Sequence, residues 1–457
     1  MDKVQLSRNI YSFIVELYCY LSREKEQLWK KEYELFCNKQ TDVLKKVRAI
    51  TDTIPYATRN DFFPWKKEWV SVFHNNIAYS ASIIFQTLKN FDDLIPDLFK
   101  QSKKVVISHG PLNDYREQEG FLYVASPASY LTAMFEKNHI RKGRQTVSAK
   151  NTALSTSFSH YFVVERSLAN KYIPIVNCYN KSIFTDGRIK ICCCPFSRET
   201  WINTKAGSSG EYFRVEYDNA NEVTHNNRII DLIRYLDEQG ANIVTFPELV
   251  LNNRSLWEIK SFLLHAELHN LKLIFTGSNW NNDELNNISY IISRDGTVLL
   301  KHQKKVGYKY YSHESNQYII EDLDPDAFLS FLDIPGLGRT VYNICADYND
   351  DLIQLLCSSL METDMYFIAA FTPDTYLMLE RAKSNAVLKG ETTILTNACA
   401  AAKDDQAISF VVKPLVESRH LLSDQVVFMR KKDCTSCGSN NKNCEILQIS
   451  LEMESNI

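Results

Sequence analysis

At 457 residues, 45% hydrophobic and 23% charged, the chain has an ordinary globular composition and the length of two domains. A net charge of −3 argues neither for a general nucleic-acid binder nor for a strongly acidic protein, and no run of about 18 apolar residues predicts a membrane-spanning helix. The opening MDKVQLSRNIYSF lacks the pattern of a signal peptide, and twelve cysteines, three of them consecutive at Cys192, Cys193 and Cys194, fit free thiols in a reducing compartment, so a cytoplasmic location is expected.

Residues 1–100 predict helices. Ile10, Phe13, Ile14, Leu17 and Leu21 keep the spacing of one helical face, and Leu28, Trp29, Tyr33 and Phe36 continue it. Val43, Leu44, Val47 and Ile50 form a shorter set before Pro55. One further helix is expected over residues 65–91, with Ile83, Ile84 and Leu88 as its stripe. VVIS at 105–108 and FLYVAS at 121–126 predict strands. The basic segment 137–150 reads as a solvated loop rather than a nucleic-acid contact. Residues 1–183 are therefore expected to be a mainly helical packing domain of unknown role, with a docking surface for a protein partner as the alternative reading.

From residue 184 to 457 helices and strands alternate. An apolar strand at 189–194 is followed by AGSSG at 206–210, a flexible insertion. A helix over 226–239 ends at Gly240, and a strand follows at 243–246. A second helix, near 255–270, precedes a strand at 273–276. Residues 289–293 and 297–300 predict a hairpin around Arg294-Asp295-Gly296. A strand at 341–344 comes next, then helices near 351–361 and 376–389 with strands at 365–369 and 393–396, and three closing strands. Such alternation predicts a sheet with helices packed against it.

Three strand ends carry chemistry. ANIVTFPE ends in Glu248, DGTVLLKHQKKV runs into Lys304 and Lys305, and GRTVYNICADYND delivers Cys345 with Asp347 two residues on. Alone, each group has a bland explanation: a strand-end carboxylate, a surface lysine, a small buried thiol. Together they supply a base, a cation and a nucleophile, the set needed to attack carbon bonded to nitrogen.

In their order and local sequence these three stretches resemble the nitrilase (carbon–nitrogen hydrolase) superfamily, over about residues 188–451. The resemblance implies a four-layer αββα sandwich and a Glu-Lys-Cys triad of Glu248, Lys304 and Cys345. Lys305 is the reserve lysine. Glu314 is the nearest counterpart of the family's second acid, and the Ala346 N–H would help stabilise an oxyanion. It further implies hydrolysis of a non-peptide amide or nitrile through an acyl-thioester, no cofactor, and a homodimer or larger assembly. Tyr348-Asn349-Asp350-Asp351 and Ala407-Ile408-Ser409 depart from the family pattern, and these departures bear on substrate more than on reaction.

Neither a GxGxxG nor a GxxxxGK[ST] loop is present, so nothing predicts nucleotide chemistry. Cys434, Cys437 and Cys444, with His420 as a fourth ligand, could make a zinc site, but loop thiols are the expected reading and no metal is assigned. The competing functional class is a binding or assembly protein on a nitrilase scaffold, its N-terminal helices recruiting a partner.

Overall fold

The computed structural model describes residues 10–25, 33, 41–52, 62–100, 120–124, 158, 161–166, 171–179, 181, 183, 188–207, 211–313, 315–414, 426–434 and 445–452. The chain divides into two compact units, residues 1–125 with 142–171 and residues 126–141 with 172–457.

In the first unit, helices α1 (Ile10–Lys25), α2 (Thr41–Asp52), α3 (Phe62–Asn75) and α4 (Ser80–Lys100) share a core with the antiparallel strands β1 (Gly120–Val124) and β2 (Tyr161–Glu165). Phe13, Ile14, Leu17 and Leu21 are buried in it, as their spacing predicts. The single helix expected over 65–91 is instead two, with a 3-10 turn at Ile77–Tyr79 between them. The Asn76 side chain donates to Val72 O at 2.8 Å, a local bond of the kind that competes with helix continuation. Across the break, the Trp69 indole donates to Thr87 Oγ1 at 2.8 Å and ties α3 to α4. The expected strand at 105–108, the basic segment 137–150 and the helical residues Leu28, Trp29 and Phe36 lie outside the described residues.

The second unit begins with β3 (Ile173–Cys178), β4 (Arg188–Cys193), β5 (Ile202–Ala206) and β6 (Tyr212–Tyr217). Helix α5 (Glu222–Glu238), β7 (Ile243–Thr245), α6 (Ser255–His265), β8 (Leu273–Asn281), β9 (Asn286–Ser293) and β10 (Val298–Gln303) follow. Then come β11 (Lys309–Ser312), β12 (Gln317–Glu321), β13 (Phe328–Ile334), β14 (Gly338–Ile344), α7 (Asp351–Gln354) and β15 (Met365–Ala370). The remainder is α8 (Tyr376–Lys389), β16 (Thr392–Asn397), β17 (Ala407–Val412), β18 (Val426–Arg430) and β19 (Leu447–Glu452).

Two large mixed sheets form its centre, one ordered β10-β9-β8-β7-β4-β19 and the other β18-β17-β16-β15-β14-β13-β3. Their facing sides share one core: Ile191, Ile243 and Phe275 of the first meet Leu332, Tyr342 and Phe367 of the second. Phe275 stacks on Phe367 with ring centroids 3.8 Å apart. On the far side of the six-stranded sheet, Ile229, Ile233 and Leu236 of α5 and Ile259 and Leu263 of α6 pack with Val244 and Ile274. Helix α8 lies against β16 and β17 of the other sheet. Helix, sheet, sheet and helix follow one another, because each sheet has two apolar faces to cover.

Strand β3 corrects the expected boundary at 183/184. It pairs in parallel with β13, Ile173 opposite Phe328, so the α/β unit includes residues from Tyr172. Its partner lies about 150 residues further along the chain, and no local pattern marks such a pairing.

A third, four-stranded sheet, β11-β12-β6-β5, is built from two excursions of the chain. Phe213 and Val215 of β6 are buried, whereas Tyr212 and Glu216 face out; on β12, Glu321 is buried and Tyr318 exposed. The expected flexible insertion is the β5–β6 connection, of which residues 208–210 lie outside the described residues. Among the described residues no helix is long and apolar enough to cross a membrane.

Candidate active site

Strand β7 is fully buried between β4 and β8 and leads into Pro247-Glu248. The turn is fixed from below. Leu249, at φ +62°, donates its N–H to Ser278 Oγ at 2.9 Å. Gly277, at φ +75°, passes so close beneath that an added Cβ would stand 2.1 Å from Pro247 O. The Glu248 carboxylate is thereby held at the ends of strands from both large sheets. Its Oε1 accepts from Lys304 Nζ at 2.7 Å and Asn287 Nδ2 at 2.9 Å; its Oε2 accepts from the Phe371 N–H, just beyond β15, at 3.0 Å. The charge of this carboxylate bears on the Cys345 thiol.

Lys304 follows β10, and its N–H bonds Asn287 O at 2.8 Å. Its ammonium lies between Glu248 and Glu321, whose Oε2 is 2.5 Å away. Lys305 turns the other way and pairs with Asp326. Cys345 stands at the end of β14 as the first residue of a 3-10 turn, Cys345–Asn349, with φ +48°. That left-handed conformation is strained for a residue with a Cβ, a feature that clusters at functional positions. Asp347 holds the turn to the lysine segment: Oδ1 accepts the N–H groups of Lys305 and Val306, both at 2.8 Å, and Oδ2 is 3.1 Å from His302 Nε2. Glu248, Lys304 and Cys345 are 2%, 1% and 2% exposed, so their charges act with little screening by water.

Burial, then the Glu248 charge, pushes the Cys345 thiol well above its ordinary range, with Lys304 opposing. Burial also raises Glu248, against the pull of Lys304. Burial works against the charge on Lys304, but Glu248 and Glu321 outweigh it and hold the ammonium well above its usual value. Burial thus favours a neutral thiol at Cys345, beside a Glu248 side chain that the Lys304 ammonium flanks. Such a group is deprotonated as it attacks, rather than in advance.

Glu314 lies outside the described residues, and the second carboxylate beside Lys304 is that of Glu321. The sequence reading missed it because β11 and β12 form a hairpin that carries the chain back to the site at residue 321. QYIIE at 317–321, a short β-prone run ending in an acid, was the available signal. Asn287 was missed as well, with nothing but its place in the hairpin strand to mark it. Ala346 follows Cys345 in the turn, half-buried. Asn397 makes two hydrogen bonds to the backbone of Thr372, at 3.0 and 2.9 Å, and so fixes the loop that presents the Phe371 N–H. Cys434 is buried and accepts from the Glu445 N–H, whereas His420, Cys437 and Cys444 lie outside the described residues. Among the described residues no group of three His, Cys, Asp or Glu side chains is arranged to hold a metal.

In structure the chain is similar to members of the nitrilase superfamily. Nit3 of Saccharomyces cerevisiae matches at 15% identity and TM-score 0.39, over 60% of this chain and 94% of that one. NitFhit of C. elegans matches at 14% and 0.41, over 59% of this chain and 62% of its own length. An amidase from Nesterenkonia sp. matches at 12% and 0.40, over 60% and 94%. At these identities and scores the likeness carries no argument about chemistry. No family model and no curated protein matches the sequence.

Proposed function

We propose that the second unit hydrolyses a non-peptide carbon–nitrogen bond, that of a small amide or nitrile, through Cys345 as nucleophile, Glu248 as base and Lys304 as the fixed cation. One observation carries the reading: the buried Glu248 carboxylate bonds the Lys304 ammonium at 2.7 Å, and its charge bears on the thiol of the strained, strand-end Cys345. With an amide, Sγ attacks the carbonyl carbon as its proton passes to Glu248. Negative charge gathers on the substrate oxygen, where Lys304 and the Ala346 N–H would stabilise it. The C–N bond then breaks, the amine leaving with the proton from Glu248, and a Cys345 thioester remains. Water attacks that thioester, Glu248 takes its proton, and the acid departs as Sγ is reprotonated. Glu321 keeps Lys304 charged and in place.

The test is an intact-mass time course with amide and nitrile libraries. A Cys345 acyl adduct and turnover are expected. Cys345→Ala should abolish both, and Glu248→Gln should slow acylation by on the order of a hundredfold or more. Because the residues act as a unit, the double variant should be little worse than Cys345→Ala. A folded protein that forms no adduct with any member, and loses nothing in the Cys345→Ala variant, would overturn the reading in favour of a non-catalytic scaffold.

A further inference from the structure

A carboxylate oxygen offers about two in-plane acceptor positions. On Glu248, Oε1 is filled at both, by Lys304 Nζ at 2.7 Å and Asn287 Nδ2 at 2.9 Å. Oε2 holds the Phe371 N–H at 3.0 Å and has one position left. The acceptor position that remains open on this carboxylate, whose charge bears on Cys345, is on Oε2. Without the Asn287 amide, Oε1 would regain an open lone pair and the thiol proton could pass to either oxygen.

Asn287 is placed for this task by its whole setting. It is fully buried on β9, and its backbone oxygen accepts the Lys304 N–H at 2.8 Å. The same side-chain nitrogen lies 3.5 Å from Glu321 Oε1, so it faces both carboxylates that Lys304 joins. The amide can present only its NH2 there, because its oxygen would face oxygens of like charge. Oδ1 is buried with no hydrogen-bond partner among the described residues. A buried amide left half-satisfied is costly, and what offsets the cost here is the work of its nitrogen.

We propose that Asn287 is a positioning residue that divides labour between the two oxygens of Glu248, committing Oε1 to Lys304 and reserving Oε2 for the Cys345 proton. The assignment rests on the hydrolase reading above. The charged and titratable groups around Glu248 are Lys304 after β10, Glu321 on β12, Cys345 after β14, Tyr217 on β6 and Tyr308 before β11. Asn287 adds a neutral donor to that set, and its loss removes a 2.9 Å bond from the Glu248 anion and a longer, 3.5 Å one from Glu321.

The experiment uses iodoacetamide as probe. Alkylation of Cys345 in the full chain is followed by intact mass and peptide mapping from about pH 5 to 9, a range spanning carboxylate and thiol ionisation. In Asn287→Ala the acid limb of the rate profile should move to higher pH by about one unit, with a roughly tenfold loss of rate at its foot. Asn287→Asp, which replaces the donor by a third carboxylate, should move it further, and Asn287→Ser, which keeps a donor, less than Ala. If folded Ala and Asp variants keep the wild-type limb, whatever happens to the plateau, the assignment to Asn287 is wrong and the hydrolase reading stands. If wild-type Cys345 resists alkylation at every pH, or reacts at a rate that Glu248→Gln leaves unchanged, the hydrolase reading falls and the assignment falls with it.

Discussion

The two adjacent lysines separate by role. Lys304 sits between two buried carboxylates, and Lys305 is buried against Asp326 at the surface. Lys304→Met would leave Glu248 and Glu321 facing each other without a cation, the costly half of breaking a buried pair, about 3–5 kcal/mol. It should therefore unfold at distinctly lower denaturant and show no Cys345 acylation. Lys305→Met strands only a partly exposed carboxylate, so it should lose less stability and keep acylating. Urea titration and adduct mass separate the two; equal loss of reactivity in both variants would mean the register has been misread. His302 supplies a pH dependence. Its Nε2 bonds Asp347, its Nδ1 has no hydrogen-bond partner among the described residues, and burial holds its pKa below the ordinary value. Protonation would put an N–H at Nδ1 with nothing to receive it. A folded-state pKa below the unfolded one gives stability that is full above about pH 6.5 and is lost as pH falls, by at most about 1.4 kcal/mol per unit for one group. His302→Gln should flatten that slope between about pH 7 and 5 in denaturant titrations. The flattening should be partial, because burial lowers His225 too.

At the scale of elements, the three strand ends were legible because each is an apolar run closed by one chemically distinct residue. Glu248 ends ANIVTFPE, and Cys345 ends VYNIC. Periodicity and punctuation fix such features locally. What was not legible depends on partners distant in sequence. Glu321 reaches the site on β12, which pairs with β11 in a hairpin and in parallel with β6, Ile320 opposite Tyr212. Gly277 has to be glycine because of Pro247, thirty residues earlier and on another strand. Asn287 looks like any polar residue of a hairpin until its strand is laid beside Glu248. The break at Asn76 was missed because apolar spacing runs on through it and only a side-chain bond ends the helix.

At the scale of the whole molecule, the two units keep separate cores. Phe13, Trp69 and Leu88 belong to one, and Ile243, Phe275 and Phe367 to another. All groups assigned to the chemistry lie in the second unit. Residues 172–457, the main part of the second unit, should therefore fold cooperatively and retain alkylation of Cys345 within a few-fold of the full chain. Loss of Cys345 reactivity in the folded segment would overturn this expectation. The αββα order was expected from resemblance, since alternating helices and strands would equally suit a doubly wound sheet. It is the stacking of Phe275 on Phe367 that distinguishes the two.

The small four-stranded sheet has a consequence for how the protein can change over time. Along β6 and β12 the parity of a residue's number sorts its role: Phe213, Val215 and Glu321 turn inward, whereas Tyr212, Glu216 and Tyr318 meet solvent. A lineage altering only even positions would rewrite what the outside world touches while leaving the chemistry untouched. One altering odd positions would retune the buried face behind an unchanged exterior. The two histories could run independently through the same eleven residues, separated by nothing more than the pleat.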